Sequence, residues 1–281
     1  MVNALSQVEV PGMEEKCMRA ISLLYHDVIN NDNYDTSGFR GSAAARYKLK
    51  SDEFEAHCQA IANALSAPPI KVYDAVQSQQ TAARILLTFD DGGASATHVA
   101  DILERYGWHG HFFITTSCIG KNAFVSESQI RALRDRGHAV GTHSCSHPER
   151  MSYLTWDKMV EEWSTSIQTL SQILGEQVTI ASVPGGYYSQ KVAESAAFSG
   201  IKTLFTSEPI TRCRFVQDCV VLGRYTIWRG MDPEVSAGFA SGRVVPRVKQ
   251  WVFWNSKKCA KVLAGPLYSN IRKYLAEHVN S

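Results

Sequence analysis

The sequence lacks the features that would assign it to a membrane, secreted or nucleic-acid-binding class. No run of about 18 apolar residues occurs, which argues against a membrane-spanning helix. The first residues hold no basic region followed by an apolar stretch, so we expect no signal peptide. The net charge of +2 on 281 residues gives no strong electrostatic case for nucleic acid as a partner. What remains is an ordinary globular composition, 44% hydrophobic and 20% charged.

The cysteines follow no pattern that would indicate disulfides or a zinc finger. There are seven of them, an odd number, and no Cys-x-x-Cys pair occurs. Scattered cysteines are typical of proteins from a reducing compartment. Together with the missing signal peptide, they predict a cytoplasmic location.

The order of predicted elements indicates one α/β domain between two different ends. Residues 1–19 are mixed and polar, and we interpret them as a leader. From Arg84 onward, short apolar strands alternate with amphipathic helices, which predicts a mostly parallel sheet. About seven such units favour an open or closed (β/α) barrel over residues 20–243 rather than a split into two domains.

Residues 244–281 form a basic, aromatic segment with helical periodicity. One interpretation is a C-terminal helical extension that packs onto the barrel. The other is a helix that lies on a membrane surface, because lysine and arginine alternate there with tryptophan, phenylalanine and leucine.

Two polar clusters follow predicted strands. The stretch LLTFDDGG, Leu86 to Gly93, ends an apolar run with Asp90 and Asp91. The stretch THSCSHP, Thr142 to Pro148, places His143 and His147 after another strand. In parallel α/β folds, sites are built at the carboxyl ends of strands, so we expect the two clusters to meet at the mouth of the barrel.

These residue types suit a hydrolytic metal site. Adjacent residues at a strand end point in different directions, so one aspartate can bind a metal while the other acts as a base. His143 and His147 would face the same side if the segment between them coils as a helix. Two histidines and one aspartate form a typical hydrolytic zinc site, although other divalent ions are compatible. Each motif alone could instead be an ordinary surface turn, and Cys145 could be a fourth ligand or a small residue in a tight turn.

The two motifs, TFDDG and HSCSHP, resemble the first two motifs of the polysaccharide deacetylase superfamily. These are carbohydrate esterases, family 4-like, that share the NodB homology domain, and the resemblance extends over residues 21–230. It implies a distorted (β/α) barrel in which Asp90 is the general base. It also implies that Asp91, His143 and His147 hold one divalent ion, zinc by preference, beside an N-acyl sugar.

The third motif departs from the family pattern Arg-x-Pro-aromatic-Gly. The matching stretch, SVPGGYY, has Ser182 in place of the arginine and Gly185 in place of the aromatic residue. Because that arginine pairs with the base, its loss predicts a raised pKa for Asp90. The backbone N–H of Gly185 could still donate to the oxyanion, since this donor needs no side chain.

The last motif departs as well, because CVVLGRYTIWRG contains no histidine to protonate the leaving amine. Arg224 or Arg229, both in this stretch, could replace the missing arginine in space. The leaving-group acid remains open between Glu208, after one predicted strand, and His26, after the first strand. We therefore expect a divergent deacetylase subgroup.

The expected function is removal of an N-acyl group, acetyl by preference, from an amino sugar. A cytoplasmic location favours a nucleotide-linked or lipid-linked precursor of a surface glycan, with peripheral membrane contact through the C-terminal helix. The same site could instead remove a formyl group or hydrolyse a linear or cyclic amide. The alternative outside enzymes is a non-catalytic glycan-binding module.

Overall fold

The computed structural model describes residues 19–77 and 83–256. The predicted leader, residues 1–19, lies outside this part except for its last residue. Of the predicted C-terminal extension, residues 244–256 are described and the rest lie outside.

The described chain contains short strands and helices in alternation. The strands are β1 (Ala20–Tyr25), β2 (Val28–Ile29), β3 (Leu49–Lys50), β4 (Arg84–Phe89), β5 (His111–Ile114), β6 (Ala139–Thr142), β7 (Ile180–Ser182), β8 (Thr203–Phe205), β9 (Arg214–Val216), β10 (Cys219–Leu222) and β11 (Arg224–Thr226). The helices are α1 (Ser42–Ala45), α2 (Ser51–Ala64), α3 (Val72–Gln77), α4 (Ala96–Glu104), α5 (Glu127–Asp135), α6 (Trp156–Leu174), α7 (Gln190–Phe198), α8 (Pro233–Ala240) and α9 (244–256).

Nine strands form one curved sheet in the order β11-β1-β4-β5-β6-β7-β8-β10-β9. Neighbouring strands run parallel, except that β9 is antiparallel to β10. This arrangement confirms the predicted α/β fold with a parallel sheet. The prediction of about seven parallel strands fell one short, because the stretch Cys219–Ile227 contributes two strands rather than one.

The barrel is closed by a connection rather than by a strand pair. The residues after β8 contact strands from both ends of the sheet. The N–H of Thr206 donates to the carbonyl of Leu222 in β10 at 2.8 Å, and the N–H of Ala20 in β1 donates to the carbonyl of Thr211 at 3.0 Å. Gly223 separates β10 from β11, and a Cβ atom there would lie 2.3 Å from the carbonyl oxygen of Glu208. This close approach explains why a glycine stands between the two strands.

Alternating residues of the strands fill two separate apolar layers. In β4, Leu87 and Phe89 join the cluster between sheet and helices, whereas Leu86 joins Phe113 and Phe205 in another cluster. This is the alternation expected of a strand buried on both faces. Because the interior is filled with side chains, polar chemistry can gather only at the carboxyl-end rim.

Helix α9 docks on the edge strand β11. The buried side chain of Gln250 accepts from the N–H of Thr226 at 2.9 Å and donates to its carbonyl at 2.8 Å, as a neighbouring strand would. The part of the extension that the structure describes thus packs onto the barrel. Within the described ranges, we find no helix with the length and apolar character needed to cross a membrane.

Candidate metal centre

The two aspartates leave β4 through a left-handed turn. The N–H of Asp90 donates to the carbonyl of Tyr25 at 3.1 Å, so Asp90 still belongs to the sheet. Asp91 has a φ of 75°, which costs a residue with a side chain about 1–2 kcal/mol. This turn sends the two carboxylates in different directions from adjacent positions, as the sequence analysis required.

The two histidines are brought together by turns, not by a helix. His143 continues β6, with its N–H donating to the carbonyl of Ile114 at 2.9 Å. Ser144 and His147 then adopt left-handed φ angles of 67° and 56°. The N–H of His147 donates to the hydroxyl of Ser144 at 3.1 Å. The segment does not coil as a helix, the condition under which the sequence would place both rings on one side; two left-handed residues fold it back instead.

Asp91, His143 and His147 converge on one point. Oδ1 of Asp91 lies 3.4 Å from Nε2 of His143 and 3.5 Å from Nε2 of His147. Nδ1 of His143 lies 3.0 Å from the carbonyl oxygen of Ser182. Since a carbonyl can only accept, Nδ1 carries the proton and Nε2 keeps its lone pair for a metal. One carboxylate and two imidazoles with an open side fit a hydrolytic divalent ion such as zinc.

The electrostatics favour the metal-binding forms of Asp91 and His147 but not that of His143. Burial raises the pKa of Asp91, but the hydrogen bond with His143 and the charge of His26 outweigh it and lower the pKa. Burial, followed by the charge of His143, lowers the pKa of His147 to about 4. An ionised carboxylate and a neutral imidazole are what metal coordination needs. For His143, burial is opposed by Asp90 and Asp91, which raise its pKa, so a metal ion would compete with its proton.

Asp90 is held by an arginine from the edge strand β11, which is separated from β4 by β1. Nη1 and Nη2 of Arg224 donate to its Oδ1 and Oδ2 at 2.7 and 2.8 Å, and the Arg224 side chain is fully buried. The hydroxyl of Ser182 donates to Oδ2 of Asp90 at 3.0 Å and accepts from Nη2 of Arg224 at 2.7 Å. Arg224 therefore occupies the space that the small Ser182 leaves open. Arg229, the other candidate, lies over the ring of Tyr34 instead, at 4.3 Å.

The expected rise in the pKa of Asp90 was wrong. Burial alone would raise this pKa, but the charge of Arg224, followed by that of His143, lowers it below its usual value. Ser182 has a role that was not predicted from the sequence. Its hydroxyl links Asp90 to Arg224, and its backbone carbonyl orients His143. The sequence did carry a sign of this role, because Ser182 stands where the family motif has an arginine.

Gly185 and Glu208 also lie at turns after strands. Gly185 has a φ of 63°, and a Cβ atom there would lie 2.9 Å from the carbonyl oxygen of Glu149, which explains why no aromatic residue stands here. Glu208 is buried and its carboxylate pairs with the guanidinium of Arg214. The donor role of the Gly185 N–H and the acid role of Glu208 stay predictions.

His26 lies where β1 ends and belongs to the same rim. Its charge contributes to the low pKa of both Asp90 and Asp91, which places it beside the two carboxylates. Nδ1 of His26 is buried and has no hydrogen-bond partner within the described residues. A polar ring atom left unpaired next to two ionised groups is a candidate for exchanging a proton with a substrate.

Comparison with known proteins agrees with this geometry. Residues 77–204 match the family described as polysaccharide deacetylase. The Bacillus subtilis protein YxkH is 27% identical over 166 residues, which cover 59% of this chain and 57% of that protein. The peptidoglycan-N-acetylmuramic acid deacetylase PdaA of the same organism is 30% identical over 144 residues, which cover 49% of this chain and 52% of that protein. The chain thus spans about half the length of the curated relatives it matches.

Solved structures show the same fold at low sequence identity. The Streptococcus pyogenes deacetylase PplD is 19% identical and superposes with a TM-score of 0.64, covering 78% of this chain and 96% of that one. IcaB from Ammonifex degensii is also 19% identical, with a TM-score of 0.64 over 80% of this chain and 97% of that one. The predicted distorted (β/α) barrel is confirmed. Both polar motifs of this chain lie inside the segment, residues 77–204, that matches the polysaccharide deacetylase family.

Proposed function

We propose that the protein is a metal-dependent hydrolase that removes an N-acetyl group from an amino sugar. The observation that carries the proposal is the meeting of Asp91, His143 and His147 within reach of one ion, directly beside the buried carboxylate of Asp90. Relatives named as deacetylases of peptidoglycan support the reaction type and the class of substrate.

Asp91, His143 and His147 would hold the ion, for which zinc is the natural choice given the two imidazoles. When bound, such an ion supplies Lewis acidity, which polarises the acyl carbonyl and lowers the pKa of a water molecule. The carbonyl of Ser182 keeps His143 in the tautomer that this binding requires.

Asp90 would act as the general base. Arg224 and Ser182 fix both of its oxygens, so its carboxylate is oriented before substrate arrives. Because its pKa is lowered, the carboxylate is ionised throughout the neutral range and ready to accept a proton. The N–H of Gly185 would donate to the oxyanion that forms on the acyl carbon.

His26 is the better supported of the two candidates for the leaving-group acid. Its Nδ1 is buried near the two aspartates and has no partner within the described residues. Glu208 would first have to leave its ion pair with Arg214 before it could serve a substrate. His26 would therefore hand a proton to the amine as the C–N bond breaks.

The carrier of the sugar and the acyl group form the finer part of the proposal. A nucleotide-linked or lipid-linked sugar of a surface glycan suits the predicted cytoplasmic location, whereas the named relatives favour peptidoglycan itself. Removal of a formyl group remains the alternative reaction, because Ser182 and Gly185 change the third motif next to the acyl site.

The deciding experiment measures metal content and amide hydrolysis together. Parent protein, Asp91→Ala, His147→Ala and the control His98→Ala, whose histidine bonds Ser51 away from the site, are reconstituted with zinc and desalted. We expect about one ion per chain in parent and control, and none in the two site variants. Acetate release from chitin oligomers, peptidoglycan fragments and nucleotide-linked N-acetylglucosamine then identifies the substrate. A parent that binds zinc yet hydrolyses none of these, nor their N-formyl analogues, would favour the glycan-binding module.

A further inference from the structure

His147, one of the three proposed metal ligands, lies against a segment that contributes no ligand to the site. His143 is oriented by the Ser182 carbonyl, whereas the ring of His147 lies against an aromatic neighbour. The ring centroids of Phe39 and His147 are 4.7 Å apart with an interplanar angle of 46°. The other ring against His147 is that of His143, at 5.0 Å between centroids, so Phe39 is the aromatic contact that comes from outside the triad.

Phe39 lies on the long connection between β2 and β3, which is anchored by a buried lysine. Lys48 is 1% exposed, and its ammonium group donates to three backbone carbonyls, those of Tyr34 at 2.7 Å, Ser37 at 2.6 Å and Phe39. All three ammonium protons are therefore used to hold one loop. This is an unusual use of a charged side chain, because buried lysines are rare unless paired.

A buried carboxylate ties the same loop to the aspartate turn. Oδ1 of Asp27 accepts from the hydroxyls of Ser37 at 2.5 Å and Ser95 at 2.9 Å. Cβ atoms at Gly38 and Gly93 would lie 2.0 and 1.8 Å from its two oxygens, so the backbone closes on the carboxylate from both sides. Gly93 follows Asp91 by two residues, and the loop is thereby joined to the strand end that carries the two aspartates.

The third side of the loop rests on the connection before α5. The N–H of Gly38 donates to the carbonyl of Ala123 at 2.7 Å, and the ring of Phe39 packs edge-on against Phe124 at 5.2 Å. The ring of Phe39 thus contacts both Phe124 and His147, and its backbone carbonyl accepts a hydrogen bond from Lys48. A side chain restrained in this way can restrain its neighbour in turn.

We propose that Phe39 is a positioning residue for the metal site, which fixes the imidazole of His147 and is itself fixed by Lys48 and Asp27. The proposal rests on the metal site of the proposed function. Groups that orient a metal ligand commonly change metal affinity 10- to 100-fold when removed, so the contact should be measurable in the binding of the metal alone.

The test is the dissociation constant for zinc, measured by competition with a chelating dye, and the visible spectrum of the Co²⁺ form. We expect Phe39→Ala to bind zinc about tenfold more weakly and to shift the Co²⁺ spectrum, while Phe39→Tyr keeps the ring and the parent values. Lys48→Met should weaken binding in the same direction, and its matched control Lys50→Met, an exposed lysine paired with Asp32, should not. In the double variant the two effects should not add, because both act on the same ring.

Thermal unfolding of each metal-free variant checks that the fold persists at the temperature of the titration. If Lys48→Met does not fold, the comparison of Phe39→Ala with Phe39→Tyr decides alone. A Phe39→Ala protein with the affinity and spectrum of the parent overturns the positioning role and leaves the proposed function standing. A parent that binds neither zinc nor Co²⁺ overturns both.

Discussion

At the scale of single residues, Asp90 and Arg224 form the most constrained contact in the site. Two charge-assisted hydrogen bonds join them, and both side chains are almost fully buried. In such a place the arginine has two effects: it keeps the carboxylate ionised and it satisfies both of its oxygens.

Replacement of Arg224 by methionine should therefore cost stability as well as activity. The change leaves the Asp90 carboxylate buried without its counter-charge, and we expect a loss of about 3–5 kcal/mol in the free energy of unfolding. Urea denaturation measures this loss. The control Arg229→Met removes an exposed arginine and should stay within about 0.5 kcal/mol of the parent. Equal unfolding midpoints for Arg224→Met and parent would contradict the role of the pair.

The leaving-group acid gives a second prediction at this scale. His26→Asn should lower kcat by about 10²-fold or more with zinc content unchanged, because protonation of the amine is lost while the ligands stay. Glu208→Gln should turn over substrate at close to the parent rate, since its carboxylate faces Arg214. The comparison is made on deacetylation under saturating substrate. The opposite ranking of the two variants would transfer the acid role to Glu208.

The site residues differ in how far the sequence alone could place them. Asp90, Asp91, His143 and His147 could be found because each follows a strand whose apolar run ends there. The partner of Asp90 could only be narrowed to Arg224 or Arg229, because the two lie five residues apart and strand direction does not say which one turns inward. Ser182 carries no charge and no metal-binding group, so only contact geometry reveals that it links base and arginine.

At the scale of elements, the strand β5 carries a buried histidine that should make the fold sensitive to acid. His111 accepts from the N–H of Val72 at 2.8 Å, and its other ring nitrogen lies 2.8 Å from the carbonyl oxygen of Leu87. Burial lowers the pKa of His111 to about 4, because a charged imidazole would be desolvated between strand and helix. The neutral ring joins α3 to β4 across the end of β5.

The sign of the pH effect follows from this shift. The unfolded chain binds a proton at this histidine near pH 6.5, while the folded chain does not until about pH 4. Stability from His111 is therefore complete above pH 6.5 and decreases as the pH falls toward 4, by about 3 kcal/mol in all. Denaturant unfolding at several pH values should show a steeper loss for the parent than for His111→Gln. Parallel curves for the two proteins would mean that this histidine is not held neutral.

Helices and strands with a regular hydrophobic period could be predicted from the sequence. Element ends that depend on close contact with a distant segment could not. Ser126 caps α5 as its sequence indicates, with Gln129 completing a reciprocal pair of hydrogen bonds. The stretch from Cys219 to Ile227 looks like one strand because it is rich in apolar and β-branched residues. It is broken at Gly223, where a Cβ atom would lie 2.3 Å from the carbonyl oxygen of Glu208. Contacts of that kind come from distant segments and leave no period in the sequence.

At the scale of the whole molecule, α9 presents an apolar stripe away from the barrel. Gln250 faces β11, and the opposite side exposes the side chains of Val244, Val245, Val248, Trp251 and Val252. At 100° per residue, Arg247 and Lys249 flank the stripe on either side of Val248. Cations beside an outward apolar stripe suit the surface of an anionic bilayer, which is the predicted membrane contact.

Flotation with vesicles tests this contact without disturbing the docked side of the helix. Val248→Asp and Trp251→Asp should each reduce binding to anionic vesicles about tenfold, since burial of such a side chain contributes about 1.5–3 kcal/mol. Phe198→Asp, on the exposed end of α7, is the matched control and should bind as the parent does. Truncation before α9 would be a poorer test, because it also removes the Gln250 cover of β11. Equal flotation of the parent and all three variants would show that the stripe does not bind the membrane.

The pairing of Asp90 with Arg224 also determines how much of the chain must be synthesised before the proposed site is complete. The two residues are 134 positions apart, and Arg224 stands on the last strand of the sheet to be synthesised. At 5–20 residues per second, the ribosome needs roughly 7 to 27 s to add the arginine after the aspartate. Once His147 has been added, the nascent chain has both clusters of its motif residues but no counter-charge for Asp90. The proposed catalytic site is therefore complete only after Arg224 has been added, and a ribosome stalled before that residue holds a chain in which Asp90 has no arginine partner.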